Sequence, residues 1–311
     1  KNNILDYIRG FFQLLIIIKK VKPGLVLTFD TIPNIIGRLA AKCCSIKVVI
    51  GTQPGLGIIR RKESGILFNV VKKIAVFATK IINILSDMTI YQNSDDLDLM
   101  VKSNLISRSK SKLILSSGVD TEYFNGNVEN IDSNKKNKRS VDIIMISRIL
   151  KSKGIYQYWK LAKYIKKEFD FVNFHHVGDI VLNHFDSLKN EDIKQYKNHI
   201  KFHGQVENVK DLLIKSDIMV LPTTYAEGVP RVLLEAASIG LPLVAYDVPG
   251  CREVIIHDEN GFLVDPGNDE ELINSVTRLI SDKDLRRIFS SKSIEISRKK
   301  FDISLIDNQY L

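Results

Sequence analysis

The sequence predicts an α/β protein of two domains, each built on a parallel sheet. Three observations carry that reading. Asp217 to Val248, DIMVLPTTYAEGVPRVLLEAASIGLPLVAYDV, holds an apolar run (Ile218–Leu221), a segment of helical spacing (Pro230–Ile239) closed by Gly240, and a second apolar run (Leu243–Tyr246). That is a β-loop-α-β unit, the building block of a parallel sheet. Similar strand and helix patterns stand on both sides of Asn125–Ser140, a polar, unpatterned stretch that reads as a linker. Finally, 311 residues, 44% hydrophobic and 26% charged, give an ordinary globular composition with room for two cores.

The chain opens in a helical pattern, NILDYIRGFFQLLIIIKKVK, followed by a strand at Leu25–Phe29 and a helix at Pro33–Lys42. A strand at Lys47–Ile50 then ends in GTQPGLG, residues 51–57, a tight glycine-rich loop at a strand's carboxyl end. Ile58–Leu85 mixes Arg60, Arg61, Lys62, Lys72, Lys73 and Lys80 with Leu67, Phe68, Val71, Ile74, Phe77 and Ile81. An interfacial amphipathic helix and a core-packing helix with a basic solvated face fit that composition equally. Residues 88–100, MTIYQNSDDLDLM, read as a strand and an acidic-start helix capped by Asn93 or Ser94. Residues 113–125, LILSSGVDTEYFN, read as a strand and a turn, with Gly118 supplying the turn and Asp120 its cap.

In the second half, Val141–Ile146 is a strand running into SRILKSKG, residues 147–154, and a helix at Tyr156–Lys167. Arg148 and Lys153 thus sit at a strand's carboxyl end, where two cations can pair with two phosphates and arginine offers bidentate geometry. Phe171–Gly178 is the next strand, residues 180–198 show no usable pattern, and Ile200–Phe202 leads into Gly204-Gln205-Val206. The loop Pro222–Val229 lies at the strand end where open α/β sheets bind ligands, and Pro230 suits the first helical position. The N–H groups around Gly228, Val229 and Arg231 are donors for an anion. Glu227 and Glu235, eight positions apart, can both face one elongated ligand: phosphates at the helix start, a hydroxyl-bearing group at each carboxylate. Beyond this unit come a helix start at Gly250–Ile255, a short hairpin at Asn260–Val264, a helix at Glu270–Ser281, and a final segment, Phe301–Leu311.

Composition bounds the partners. Residues 1–140 carry 22 Lys plus Arg against 11 Asp plus Glu, and the rest 23 against 25, so a net charge of +11 faces one of −2. An anionic partner for the first half follows. No zinc-finger spacing, helix-turn-helix or aromatic ribonucleoprotein motif accompanies the charge, so nucleic acid is not expected and an anionic membrane surface is. No apolar run approaches the roughly 18 residues of a membrane span, and Phe11–Ile18 does not make a secretory signal. Cys43, Cys44 and Cys251 are odd in number and lack C-x-x-C spacing, which reads as a reducing cytoplasm and no metal site.

The stretch AEGVPRVLLEAASIGLPLVAYDVPGCREVI, followed by NGFLVDPGN, resembles the Glu-x7-Glu signature region of the retaining glycosyltransferases of family four. KPGLVLTFDTIPNIIGRLAAK followed by GLG is similar to members that glycosylate lipid-diphosphate-linked sugars. The resemblance implies the GT-B fold: two facing Rossmann-like domains and an interdomain cleft. It implies an acceptor domain at residues 1–128 with 301–311 packing back on it, a linker at 129–140, and a nucleotide-sugar domain at 141–300. Relatives begin with a strand and a glycine-containing loop before the first helix, so the first domain is expected to lack its opening.

The resemblance also implies roles. Arg148, Lys153 and the helix start Gly228, Val229, Pro230 and Arg231 would hold the diphosphate; Glu235 the ribose; Glu227 the donor sugar; Gly204 and Val206 the nucleobase through their backbone. Gln53, Gly55 and Gly57 belong to an acceptor-side loop where many relatives carry a histidine; Gln53 stands near its place, and all six histidines lie in the second half. No Asp-x-Asp triplet stands at a strand's end in the second domain, so neither a metal nor another cofactor is expected. The expected reaction is transfer of a hexose or N-acetylhexosamine from a nucleotide-diphosphate donor, uridine first and guanosine second. The expected acceptor is a lipid-diphosphate saccharide at the inner face of a bacterial cytoplasmic membrane, in O-antigen or capsule synthesis. Two alternatives stand beside it. One is a nucleotide-sugar 2-epimerase, for which Asp30 and Glu63 are the only acids near the early strand-end loops; the other is a catalytically silent nucleotide-sugar-binding subunit.

Overall fold

The computed structural model describes residues 4–60, 65–126, 140–181, 186–188, 190–225 and 228–310. Contacts divide it into two compact units, Lys1–Ser116 with Ala226–Val229, and Ser117–Tyr225 with Pro230–Leu311.

The first unit holds four strands: β1 (Leu25–Phe29), β2 (Val48–Gln53), β3 (Met88–Tyr91) and β4 (Ser111–Leu113). They lie in the order β1-β2-β3-β4 and every pair is parallel. Parallel neighbours need crossover connections, here helices Thr31–Cys43, Ile66–Leu85 and Ser94–Lys102. Asn93 caps the last of these, its side chain accepting from the Asp96 N–H. The opening helix Ile4–Val21 packs on helix Thr31–Cys43, with Ile18, Ala40, Ala41 and Val49 in one buried cluster. One expectation is corrected. Gly51, Thr52 and Gln53 are not loop but the end of β2, paired with Thr28 and Phe29 on one side and with β3 on the other. The glycine at 51 is there for space, since a Cβ would fall 2.6 Å from the Arg38 guanidinium carbon.

Helix Ile66–Leu85 turns its apolar stripe outward. Leu67, Val70, Ile74, Phe77, Ile81 and Ile84 are all exposed, whereas Ile82 and Asn83 are buried. Helical spacing puts Lys73 and Lys80 along one flank of that stripe. Packing of the apolar stripe into the unit's core is thereby excluded. Among the described residues no helix is long and apolar enough to cross a membrane.

The second unit holds β5 (Val141–Ile146), β6 (Val172–Val177), β7 (Lys201–Phe202), β8 (Ile218–Leu221), β9 (Leu243–Tyr246) and β10 (Gly261–Val264). All pairs are parallel, in the order β10-β9-β8-β5-β6-β7. The strand order reverses between β5 and β8, the switch point at whose carboxyl side such sheets open a crevice. Every residue of β8 and β9 is buried, as the continuous apolar runs require of central strands. Pro230 is the N-cap rather than the first helical residue, the helix runs Arg231–Ile239, and Gly240 ends it at φ 93°. The expected hairpin at Asn260–Val264 is instead the parallel edge strand β10. Gly261 permits the pairing, because a Cβ there would lie 2.0 Å from the Leu243 carbonyl oxygen.

Two segments group differently from the sequence expectation. Residues 117–126 and 301–310 belong by contact to this unit, not the first. Val119 bridges to Asp302, with Val119 N–H donating to the Phe301 carbonyl at 2.8 Å and Ile303 N–H to the Val119 carbonyl at 2.9 Å. Ser238 Oγ donates to the Phe124 carbonyl at 2.8 Å, and Arg298 Nη2 to Asn125 Oδ1 at 2.9 Å. The linker at 129–140 lies outside the described residues, Ser140 excepted.

Candidate functional site

The strand-end loops of the second unit are knitted together by their backbones. After β5, Ser147 N–H donates to the Val177 carbonyl and Ile149 N–H to the Asp179 carbonyl, each at 2.9 Å. A single turn, Lys151–Lys153, then hands the chain through Gly154, left-handed at φ 79°, to helix Ile155–Glu168. Thr224 N–H, from the loop after β8, donates to the Ser152 carbonyl at 2.8 Å. Gly178 N–H donates to the Gly204 carbonyl at 2.8 Å, so the loops after β6 and β7 join the same group.

On this frame stand the expected side chains. Arg148 is exposed, with no side-chain hydrogen bond or ion pair among the described residues. Lys153 is buried at 8% exposure, its Nζ 4.8 Å from the centre of the Tyr225 ring. The ring holds the cation by its face, an anchor that sequence spacing did not reveal, although Tyr225 lies in the loop already singled out. Gly204 takes φ 66° and Val206 is half-buried, both after β7. Glu235, on the helix after β8, is 7% exposed and accepts from Arg231 Nε at 2.9 Å. Burial raises the pKa of that carboxyl, and Arg231 opposes the rise.

His176 was also unanticipated. Fully buried beneath the β5 loop, it lies 3.1 Å through Nε2 from the Ser147 carbonyl, and burial lowers its pKa to about 4. It is therefore neutral at pH 7, and its Nε2–H donates to that carbonyl. On the other face of β6, His175 Nδ1 meets His203 Nε2 and His175 Nε2 meets Asp142 Oδ1, both at 3.0 Å.

Glu227 lies outside the described residues, while Gly228 and Val229 are grouped with the first unit. In that unit Gln53 is buried and fully engaged. Its Nε2 donates to the Gly55 carbonyl at 2.5 Å and to Thr31 Oγ1 at 3.1 Å, and its Oε1 accepts from Asn34 Nδ2 at 3.0 Å. Gly57 begins the single turn Gly57–Ile59 at φ 45°.

Chemically, the second unit offers cations and a helix start to an anion at the carboxyl ends of β5 and β8, and a buried carboxylate to hydroxyls one turn further along. Two parallel α/β units of this kind are the architecture of the GT-B glycosyltransferases. The chain belongs to the family described as glycosyl transferases group 1, whose profile matches residues 127–295.

The sequence is 26% identical over 288 residues to an Escherichia coli UDP-Gal:alpha-D-GlcNAc-diphosphoundecaprenol alpha-1,3-galactosyltransferase, covering 90% of this chain and 72% of that protein. It is 25% identical over 315 residues to a Campylobacter jejuni N,N'-diacetylbacillosaminyl-diphospho-undecaprenol alpha-1,3-N-acetylgalactosaminyltransferase, covering 98% and 80%. Among solved structures, sucrose-phosphate synthase from Thermosynechococcus elongatus superimposes with a TM-score of 0.82 at 18% identity, over 98% of this chain and 76% of that one. Anabaena Alr3699/HepE in complex with UDP does so with a TM-score of 0.79 at 20% identity, over 96% and 80%.

Proposed function

We propose that this glycosyltransferase moves a hexose or N-acetylhexosamine from a UDP-linked donor to a lipid-diphosphate-linked saccharide, with retention and without a metal, in bacterial surface polysaccharide synthesis. The observation that carries the donor half is the strand-end group of Arg148, Lys153, the helix start at Arg231, and Glu235. Breaking the bond between the anomeric carbon and the phosphate oxygen leaves positive charge on the sugar and negative charge on the diphosphate. Arg148, Lys153 and the N–H groups of Gly228, Val229 and Arg231 take up the leaving group's charge, an electrostatic role set before the reaction begins. Glu235 holds the ribose hydroxyls. Glu227 holds the donor sugar and stabilises the oxocarbenium-like centre, and the acceptor oxygen bonds to the anomeric carbon as the departing phosphate oxygen takes its proton. Gly204 and Val206 offer backbone groups to the base.

The acceptor half rests on the two undecaprenol-diphosphate relatives and on the outward apolar stripe of helix Ile66–Leu85 with Lys73 and Lys80 beside it. That face suits the anionic inner surface of a membrane, where the acceptor's lipid resides. Arg61 and Lys62, expected to add to it, lie outside the described residues.

The test is transfer from UDP-galactose, UDP-N-acetylglucosamine and UDP-N-acetylgalactosamine to undecaprenyl-diphosphate monosaccharides, with the product's anomeric configuration read by NMR. A retained linkage, formed in EDTA and lost in Glu227→Ala, is expected. Epimer formed without acceptor, or nucleotide binding with no turnover by any donor and acceptor pair, overturns it in favour of the epimerase or the silent binder.

A further inference from the structure

The first unit buries a cation whose partners are all neutral. Arg38, on helix Thr31–Cys43, is 1% exposed. Its Nε donates to the Asn34 carbonyl and its Nη1 to Thr89 Oγ1, each at 2.8 Å, with Asn83 Oδ1 and Ser86 Oγ both at 3.4 Å. Among the described residues no carboxylate pairs with it, and burial lowers its pKa to about 10. Such a group is a poor way to stabilise a core, because well-packed apolar residues of similar volume serve as well or better. Its planar fork does one thing an apolar side chain cannot: it fixes several acceptors at set angles.

Those acceptors lead to the glycine loop. Asn34, whose carbonyl Arg38 grips, accepts from Thr28 Oγ1 at 2.6 Å and donates through Nδ2 to the Thr52 carbonyl at 2.7 Å and to Gln53 Oε1 at 3.0 Å. Gln53 passes the connection to the Gly55 carbonyl. A separate clamp holds the loop's far end, where Asp96 accepts from Leu56 N–H and pairs with Arg60. Gly51 keeps the path of the guanidinium open.

We propose that Arg38 is a positioning residue, acting through Asn34 and Gln53 to hold the loop Pro54–Gly57 in the form that receives the acceptor. Gln53 is then a strut of that loop and not a stand-in for a catalytic base, since both ends of its amide are occupied. The role for the acceptor rests on the proposed transferase reading; the ordering of the loop does not.

The experiment uses the whole chain with Arg38→Met, Arg38→Lys and Gln53→Leu. Gln53→Leu cuts the strut while leaving the buried guanidinium in place, so it reports even where Arg38→Met fails to fold. Hydrogen exchange is followed at the amides of Gly55, Leu56 and Gly57, with β1 and β4 amides as controls, alongside acceptor KM, kcat and UDP affinity. Expected is at least tenfold faster exchange confined to 55–57 in Arg38→Met and Gln53→Leu, and partial recovery in Arg38→Lys. With it come a tenfold or larger rise in acceptor KM and a UDP affinity unchanged within twofold. Unchanged loop exchange in Gln53→Leu, or exchange that rises equally in β1 and β4, overturns the positioning role. Faster loop exchange with an unaltered acceptor KM overturns the link to the acceptor alone. A wild-type chain inactive with every lipid-diphosphate acceptor strikes the transferase reading and leaves the exchange result to decide the strut.

Discussion

Replacing Glu235 by Gln separates what this carboxylate does for a nucleotide from what it does for the fold. The group is 7% exposed and burial raises its pKa from the ordinary 4.5, against an opposing Arg231. Arg231 is itself 71% exposed, so solvent screens the pair and its net contribution is small. An acid whose folded pKa is raised adds stability below its unfolded pKa and loses it as pH rises through the folded value. At pH 7.5 the ionised carboxylate therefore burdens the empty protein, and the neutral isostere relieves it. The unliganded variant is expected to melt at or above the wild-type temperature. Nucleotide binding moves the other way. A hydrogen bond from a ribose hydroxyl to a carboxylate contributes about 2 kcal/mol, so its loss weakens binding about 30-fold. UDP at about 100 times the wild-type Kd stabilises wild type by about 2.7 kcal/mol, and the same concentration stabilises the variant by about 0.9 kcal/mol. At roughly 3 °C per kcal/mol for a unit of this size, the shift shrinks from about 8 °C to about 3 °C. Thermal unfolding followed with UDP and with GDP reads both effects in one series. An undiminished UDP shift in the variant refutes the ribose assignment, and a lower melting temperature without ligand refutes the electrostatic argument.

Three further outcomes follow from placement. Arg148→Ala, at an exposed side chain, should change stability by less than about 0.5 kcal/mol yet lower kcat by about 100-fold or more, checked by unfolding and single-turnover transfer. For Lys73→Ala with Lys80→Ala, at about 1 kcal/mol per lysine, partition onto vesicles with anionic lipid should weaken about 30-fold at moderate salt and stay unchanged on neutral vesicles; equal binding by wild type and variant to anionic vesicles would count against this face. His176, neutral in the folded protein with a pKa of about 4, binds its proton more readily when unfolded. Stability should accordingly fall by about 3 kcal/mol as pH drops from about 6.5 to about 4, and His176→Phe should flatten that part of the pH profile in urea titrations.

The fold was largely legible because both sheets are parallel. Parallel strands buried on two faces write continuous apolar runs into the sequence, as in β8 and β9, and their crossovers write helical spacing between them. β10 was misread because Gly261 and Asn260 look like a turn, whereas the glycine answers to a carbonyl eighteen positions earlier in the chain. The grouping of segments 117–126 and 301–310 with the second unit was hidden for a similar reason. Their attachment runs through backbone bonds such as Val119 to Phe301 and through Arg298 to Asn125, and hydrogen bonds of that range leave no periodicity. The outward stripe of helix Ile66–Leu85 shows the limit of amphipathicity itself: the pattern states that two faces differ, not which one meets the protein.

The strand-end site extends that argument from fold to chemistry. Its charged members, Arg148, Lys153 and Glu235, are proposed from side-chain identity and the family resemblance, because cations and carboxylates at strand ends are visible as letters. What sets their geometry is not. Gly154 is left-handed, and a Cβ there would lie 1.9 Å from the Pro222 carbonyl oxygen; one at Gly178 would lie 2.1 Å from that of Ser147. Each glycine thus marks a place where one loop's backbone must touch another's, joining the loop after β5 to those after β8 and β6. Because these approaches are backbone to backbone, the side chains between them can vary while the frame stays the same. In the proposed reading such a frame holds a diphosphate in one place irrespective of the sugar attached, and sugar choice falls to other side chains, Glu227 foremost among those proposed.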